Sequence, residues 1–459
     1  MRDLNELKQL QSLPLTVKIQ KTQKRLEEWI DTFGVDGVYI SFSGGKDSTV
    51  LLHIARQMYP KIKAVFSDTG LEYPEIREFV KTFDNVDLVK PKMTFRQVIE
   101  KYGYPFISKE VSECVYGARK YLTNILEEKH NLDRQTDRQT DRQTDRTDTT
   151  MSALQELESI KKTEIVPNRA DFAEKTHLES IQRGKKHQYN YECDRIFGTC
   201  RGFEGVGMTT NSVNLEELAN TIADKNVYGL NCRAAMMLGK YEIDWGKNKK
   251  NHIPNGCKDR SRFSQEKYKF FLNAPFEISN KCCGVMKKSP MHTYNRKTGR
   301  KPITAQMASE SRLRARKWIQ NGCNGFDMKS PISNPMSFWT EQDVLLYIYM
   351  HKLPIASVYG DVVIDYAKMG QIENQMNLAD FGVFDLERPL LRTTGCDRTG
   401  CMFCGYGCHL EKSPGRFERM KETHPNIYDY IMKDWEEGGL GYKKIIDWIN
   451  ENGNLDIKY

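Results

Sequence analysis

The residue types that most directly imply chemistry in this chain stand together at Ser43-Gly44-Gly45-Lys46-Asp47-Ser48. Two glycines let a backbone turn tightly and bring N–H groups close to an anion. A helix that begins directly after such a turn aims the positive end of its dipole at the same point. Lys46 adds a point charge, and the Ser43 and Ser48 hydroxyls add donors. The expected ligand is the phosphate of a nucleotide. The Walker pattern GxxxxGK[ST] is absent, so this is a phosphate loop of another class.

Cysteines are the second signal. The chain has twelve. Cys282 and Cys283 are adjacent, and Cys396, Cys401, Cys404 and Cys408 crowd into one short stretch. Cys114, Cys193, Cys200, Cys232, Cys257 and Cys323 are scattered and read as ordinary. Where disulfides are disfavoured, clustered thiols point to metal or redox chemistry. Thiolates hold iron–sulfur clusters, usually four to a cluster. The spacing from Cys396 to Cys408 also suits structural zinc. Spacing alone does not choose the metal.

These residues need elements to place them. Hydrophobic residues make up 39% and charged residues 28% of 459, a composition with enough apolar material for a core. Residues 19–32 have the spacing of an amphipathic helix. Gly37–Phe42 is a short β-rich run, and after the Gly pair TVLLHIARQMY has helical spacing. Ala64–Gly70 reads as a strand ending in a turn. Pro74 opens a helix, where Pro is tolerated in the first turn. Asp87-Leu88-Val89 is a third strand. Strand, loop, helix, strand, helix, strand is the order of a parallel sheet with helices on its faces. The expected fold class is therefore α/β, an open parallel sheet with nucleotide at the carboxyl ends of its strands. Downstream, SQEKYKFFLNAPF reads as a helix running into a loop. Thr340 with Asp343 has the form of a helix cap before VLLYIYM, and Gly415–Lys433 is helical around Pro425.

At this point the motifs resemble a family. SGGKDS resembles the PP-loop of N-type ATP pyrophosphatases. Phe66–Glu75 (FSDTGLEYPE) is similar to the second motif of the phosphoadenosine phosphosulfate (PAPS) reductase family. Cys282–Pro290 (CCGVMKKSP) resembles the double-cysteine motif of its iron–sulfur members. Ala308–Arg314 (ASESRLR) resembles a motif whose arginines contact the nucleotide's anionic groups, and Pro331–Pro354 resembles the segment that follows. The motifs occur in the family's order over roughly 20–125 and 265–410. The resemblance implies an adenine nucleotide alpha hydrolase-like sheet followed by a Cys-rich C-terminal region. It implies ATP or PAPS/APS at Ser43, Gly44, Gly45, Lys46, Asp47 and Ser48, with Arg312 assisting. It gives Lys46, Asp47 and Asp68 catalytic roles. It implies a [4Fe-4S] cluster on Cys282, Cys283, Cys401 and Cys404, with zinc as the alternative, and Mg²⁺ beside the phosphates. Two activities follow: reduction of activated sulfate, which needs a reductant protein, or adenylation followed by transfer from a sulfur donor, with nucleic acid as an acceptor. A non-catalytic nucleotide sensor or defence component is a third expectation.

One departure bears on this choice. Sulfonucleotide reductases carry a nucleophilic cysteine in an ECGLH-like tail, whereas this sequence ends NGNLDIKY with no cysteine after Cys408. Gly407-Cys408-His409-Leu410-Glu411 is a loose echo of that tail, and Cys408 is the thiol that would have to serve.

The expected organisation is 1–127 for the PP-loop part, 128–235 for a variable insertion, 236–395 for the continuing PAPS reductase-like domain and 396–459 for the Cys-rich region. The insertion contains DRQT three times over at 133–144. It has no apolar residues and no solenoid period. A GACA tetranucleotide repeat read in frame encodes this sequence, so the expectation is phase-variable expression through repeat slippage. Sequencing the gene in several isolates tests it, and an invariant repeat number sinks it. The N-terminus lacks a secretory h-region, and no run of about 18 apolar residues occurs, so the expected location is cytoplasmic with no membrane span. The formal charge of +8 is a weak pointer to an anionic ligand.

Overall fold

The computed structural model describes residues 2–140, 214–225, 237, 265–368 and 389–459. Two compact units are found: Met1–Ala118 with Cys232–Tyr459, and Arg119–Asn231. In the second unit, helix Leu215–Lys225 starts where the Asn214 side chain accepts from the Glu217 N–H, and it buries Leu215 and Ala219. The RGFEGVGM patch, most of the 128–235 segment and Cys193, Cys200, Cys232 and Cys257 lie outside the described residues. The DRQT repeat begins in the last part of helix Lys109–Thr140, and its remainder also lies outside them.

The first unit is built on a sheet. Its strands in chain order are β1 (Val38–Ser41), β2 (Ala64–Ser67), β3 (Val86–Val89), β4 (Phe106–Ile107), β5 (Lys301–Ile303), β6 (Asn324–Gly325), β7 (Ile332–Ser333), β8 (Val362–Ile364), β9 (Leu391–Thr393) and β10 (Gly405–Tyr406). Six form one sheet in the order β3-β2-β1-β5-β7-β6. Ile40 lies opposite Ala64 on one side and Ile303 on the other. The first five strands of that order run parallel, and β6 pairs with β7 antiparallel. The fold is thus the expected α/β sheet with helices on both faces, corrected at one edge. Two-residue strands joined by a short loop can pair antiparallel without the crossover that a parallel neighbour needs.

The helices are those the apolar spacing calls for. Helix α1 covers Leu4–Gln11, and α2 (Leu15–Phe33) buries Leu26, Trp29 and Ile30. Helix α3 (Lys46–Met58) buries Val50, Leu51, Leu52, Ile54 and Ala55, because it lies behind the central strand. Helix α4 (Pro74–Lys81) presents Ile76 and Val80 inward. Thr340 and Asp343 form a reciprocal capping box at the start of helix Glu341–His351. Asp343 also takes the ammonium of the fully buried Lys18 at 2.6 Å. Trp339 is fully buried, and its indole N–H donates to Thr22 Oγ1 at 2.9 Å. One expected helix is different in kind: Glu266–Asn273 winds as a 3-10 helix. Its packed aromatic pair, Phe270 and Phe271, contacts Trp448 from helix Tyr442–Gly453, so tertiary packing overrides the local 3.6 period there. Among the described residues no helix is long and apolar enough to cross a membrane.

Candidate active site

The site begins where β1 ends. Phe42 is buried in the core, and the chain then turns through Ser43–Gly45 into α3. Gly44 has φ 70°, a conformation that costs other residues energy. A Cβ there would also stand 2.8 Å from methyl groups of both Ile76 and Val80 on α4. The loop holds its own shape. The Ser43 N–H donates to Ser48 Oγ at 3.1 Å, the two hydroxyl oxygens are 3.0 Å apart, and Ser48 Oγ donates to Gly45 O at 3.0 Å. The first-turn N–H groups of α3 therefore face a preformed anion-sized bend.

Lys46 and Asp47 are ordered by what lies across the loop. Lys46 is buried, donates to Asp397 O at 2.7 Å, and has Glu341 at 3.5 Å and the Tyr359 ring at 5.3 Å. Tyr359 in turn hydrogen-bonds Thr399. Its hydroxyl pKa is pushed up to about 12, mainly by burial. Burial also raises the Asp47 carboxyl, against the pull of Lys46, Arg398 and Arg314. Arg314 and Arg398 both pair with Glu310. So the two cations that act on the loop from this side are Arg314 and Arg398. Arg312, named from the sequence, is exposed on the first turn of helix Arg312–Asn321.

Asp68 follows β2. It is buried and faces Arg77, which donates to Oδ2 at 3.2 Å. Arg77 Nε is 3.0 Å from Oδ1 but off the line of a hydrogen bond, and Oδ1 has no hydrogen-bonded partner. Ser67 Oγ is likewise buried and unpartnered. Four residues after Asp68, Glu72 accepts from the Thr69 hydroxyl at 2.8 Å and lies 3.9 Å from Lys287.

Lys287 leads to the cysteines. It sits on a π-helical turn, Gly284–Lys288, inserted between the short helix Lys281–Cys283 and helix Ser289–Thr298. A single π turn rotates the residues after it relative to those before, a device common at functional sites. Burial pushes the Lys287 ammonium down, but the Cys401 sulfur and Glu72 outweigh it and hold its pKa above the ordinary value. Cys401 itself is pushed up to about 11 by burial, partly offset by Lys287. Burial is also the main cause that raises Cys282, to which Cys283, Cys401 and Cys404 add. Cys404 is raised by burial, with Cys283 adding and Arg416 opposing. Cys282, Cys283, Cys401 and Cys404 thus share one electrostatic neighbourhood, Cys282 buried and the other three half-buried, although two distant segments supply them. The parallel pairing of β4 with β10 fixes the second segment, and Arg416 locks it by donating to Cys404 O at 2.6 Å.

Of the other two clustered cysteines, Cys396 is engaged elsewhere, whereas Cys408 lies near Cys404, which adds to the rise that burial causes in its pKa. Cys396 faces the Tyr73 hydroxyl, whose pKa is raised to about 12 by burial and then by that sulfur. Cys408 is buried, and its Sγ–H donates to Gly405 O at 2.9 Å. Cys114 and Cys323 are buried single thiols.

A cavity of about 190 Å³ joins the two halves of the site. Ser41, Ser43, Ser67, Glu72, Lys287 and Thr399 are among the residues that line it. It opens at the carboxyl ends of β1 and β2, where ligands bind in open α/β sheets. The sequence put Lys287 and Glu72 inside quoted motifs without giving them roles, and only proximity supplies those; Arg314 lay in the motif whose arginines were expected to contact the nucleotide. Arg398 and Thr399 carried no signal beyond their place next to Cys401.

The comparisons agree with this geometry. A family model described as the phosphoadenosine phosphosulfate reductase domain matches residues 37–159 and 240–405, more than half of the chain. The chain belongs to that family. The family's members act on or bind sulfonucleotide-type adenine nucleotides, which accords with a PP-loop at the head of the cavity. An uncharacterized protein of Methanocaldococcus jannaschii, MJ0973, is 40% identical over 70 residues, 14% of this chain. The matched region spans 17% of the length of that relative.

Proposed function

We propose that this PAPS reductase-family protein is an enzyme that binds ATP at the PP-loop and adenylates an acceptor with release of pyrophosphate, after which sulfur from a separate sulfur donor displaces AMP. The observation that carries the reading is the cavity lined by both Ser43 and Lys287, because Lys287 also faces the Cys401 sulfur. In this reading Ser43–Ser48 bind the phosphates. Lys46 is drawn from Asp397 O toward the anion, and Lys46, Arg398 and Arg314 favour the Asp47 carboxylate against its burial. Charge that develops as pyrophosphate leaves is met by fixed N–H groups and cations in a partly dry site. Mg²⁺ supplies further charge neutralisation when bound. Asp68, with one open oxygen, and Glu72 are oxygen donors of the kind it takes. Arg312 then serves the acceptor side rather than the nucleotide.

The four thiols Cys282, Cys283, Cys401 and Cys404 fit an iron–sulfur cluster by chemistry, with Cys282 buried and the other three half-buried. A single zinc ion needs four ligands within about 4 Å of one another, since Zn–S bonds are about 2.3 Å. Among the described residues no three His, Cys, Asp or Glu side chains close up to hold one ion. The resemblance of Cys282–Pro290 to the double-cysteine motif of iron–sulfur members supports the cluster over zinc. Such a group supplies electrons or sulfur chemistry when bound. The chain's part is to keep the thiols desolvated beside Lys287 and Arg416, so that metal binding releases their protons.

Reduction of activated sulfate would use the same pocket, but the internal hydrogen bond of buried Cys408 favours transfer over it. The deciding experiment compares pyrophosphate release from ATP with sulfite formation from PAPS and a dithiol reductant. Pyrophosphate release is expected. Sulfite as the only product overturns the transfer reading, and nucleotide binding without turnover replaces both with a sensor. For the cofactor, anaerobic purification should give iron and sulfide, and Cys401→Ser should hold less than about a tenth of it. Zinc in their place overturns the cluster.

A further inference from the structure

We infer that the outward face of helix Arg312–Asn321 docks the phosphate backbone of a nucleic-acid acceptor. The inference rests on the transfer reading above and names its acceptor class. The helix reads RLRARKWIQN and contains four cations and no acid. Arg312, Leu313, Arg316, Lys317 and Gln320 are exposed, and Trp318 is buried. Residues 312, 316 and 320 are one helical turn apart in succession, and 313 and 317 flank them, so they form a single outward stripe. At 1.5 Å per residue it runs about 12 Å. Among the described residues Arg312, Arg316 and Lys317 form no ion pair, whereas Arg314, on the inner side, pairs with Glu310 and acts on Asp47. One helix therefore carries the nucleotide site on one side and an unneutralised cationic stripe on the other. Cations continue at both ends, with Arg398 beside Glu310 and the Arg2 guanidinium beside Gly322.

A strand of regularly spaced phosphates is the partner that matches a linear, unneutralised cationic stripe. An anionic membrane fits less well. Interfacial helices bury a broad apolar face, and this stripe offers one exposed large apolar residue, Leu313. Placed here, an acceptor strand would reach the PP-loop end of the helix at Arg312, next to Arg314.

The test uses the full chain, a fluorescent single-stranded oligonucleotide and a salt titration. R316E/K317E should bind at least about tenfold more weakly at moderate salt. The log–log salt slope should become shallower by roughly 1.4, for two lost phosphate contacts on a single strand. R316K/K317R should bind like the wild type, which separates charge from misfolding. ATP binding, measured in parallel, should be the same in all three proteins. Binding of R316E/K317E within twofold of wild type overturns the inference. So does wild-type binding of polyglutamate, or of phosphatidylserine vesicles, as tight as that of the oligonucleotide. If the wild type fails to bind ATP, the PP-loop reading falls, while the oligonucleotide comparison still decides the surface.

Discussion

Gly44 shows how narrow the tolerance of this site is at the scale of one residue. Its positive φ and the 2.8 Å approach to Ile76 and Val80 act together. Gly44→Ala should cost about 1–3 kcal/mol and remove nucleotide binding. Thermal unfolding and nucleotide titration check both. Asp47 behaves oppositely. Its carboxyl is raised by burial, so the folded state holds a proton more readily than the unfolded state. That stability is full below the ordinary carboxylate pKa and is lost as pH rises through the raised one. At neutral pH the charge is thus a burden on the fold, kept for the site. Asp47→Asn should raise the melting temperature by roughly 1–3 °C while lowering turnover at least about tenfold. A lower melting temperature sinks this account.

At the scale of elements, the tie between α2 and helix Glu341–His351 matters most. Lys18 and Asp343 are both buried, and Lys18 also donates to Gln11 O at 2.6 Å. Removing one partner strands a buried charge, so Lys18→Met should destabilise by about 3–5 kcal/mol, read by denaturant unfolding. Adding Asp343→Leu should restore much of this but not all. Asp343 accepts from the Thr340 N–H and hydroxyl, and a lost cap costs about 1 kcal/mol. The capping box was legible from Thr340 and Asp343 three residues apart. The Lys18 partner was not, because 325 positions separate the pair. The 3-10 turn at Glu266–Asn273 and the π turn before Ser289 were equally hidden. Their sequences have ordinary helical spacing, and packing alone selects the tighter or wider winding.

For the whole molecule, the seam between helices is titratable. His53 on α3 lies 2.8 Å from the Tyr347 hydroxyl, with the His351 ring 5.9 Å away. Burial, and then His351, lower its pKa from 6.5. The unfolded chain therefore takes up this proton first as pH falls. Stability is full above about pH 6.5 and declines as pH drops through that value toward the lower folded one. Melting temperatures at pH 8.0, 6.5 and 5.5, values chosen to bracket roughly the histidine range, should fall by a few degrees. His53→Gln should flatten that dependence. An unchanged slope in the variant assigns it to other groups.

By itself the sequence determined the phosphate loop, the βα order around it, the capped helix and the family, because each is written in neighbouring residues. Short-range chemistry dictates these: glycine conformational freedom, apolar period and a hydroxyl three residues before a carboxylate. Tertiary structure alone decided which arginine pairs with Glu310 and acts on Asp47, putting Arg314 inward and leaving Arg312 exposed. It also gathered Cys282 and Cys283 with Cys401 and Cys404, set Cys408 close to Cys404, and left Cys396 to Tyr73. Those assignments depend on strand pairing and helix rotation between distant segments, and no local spacing encodes them.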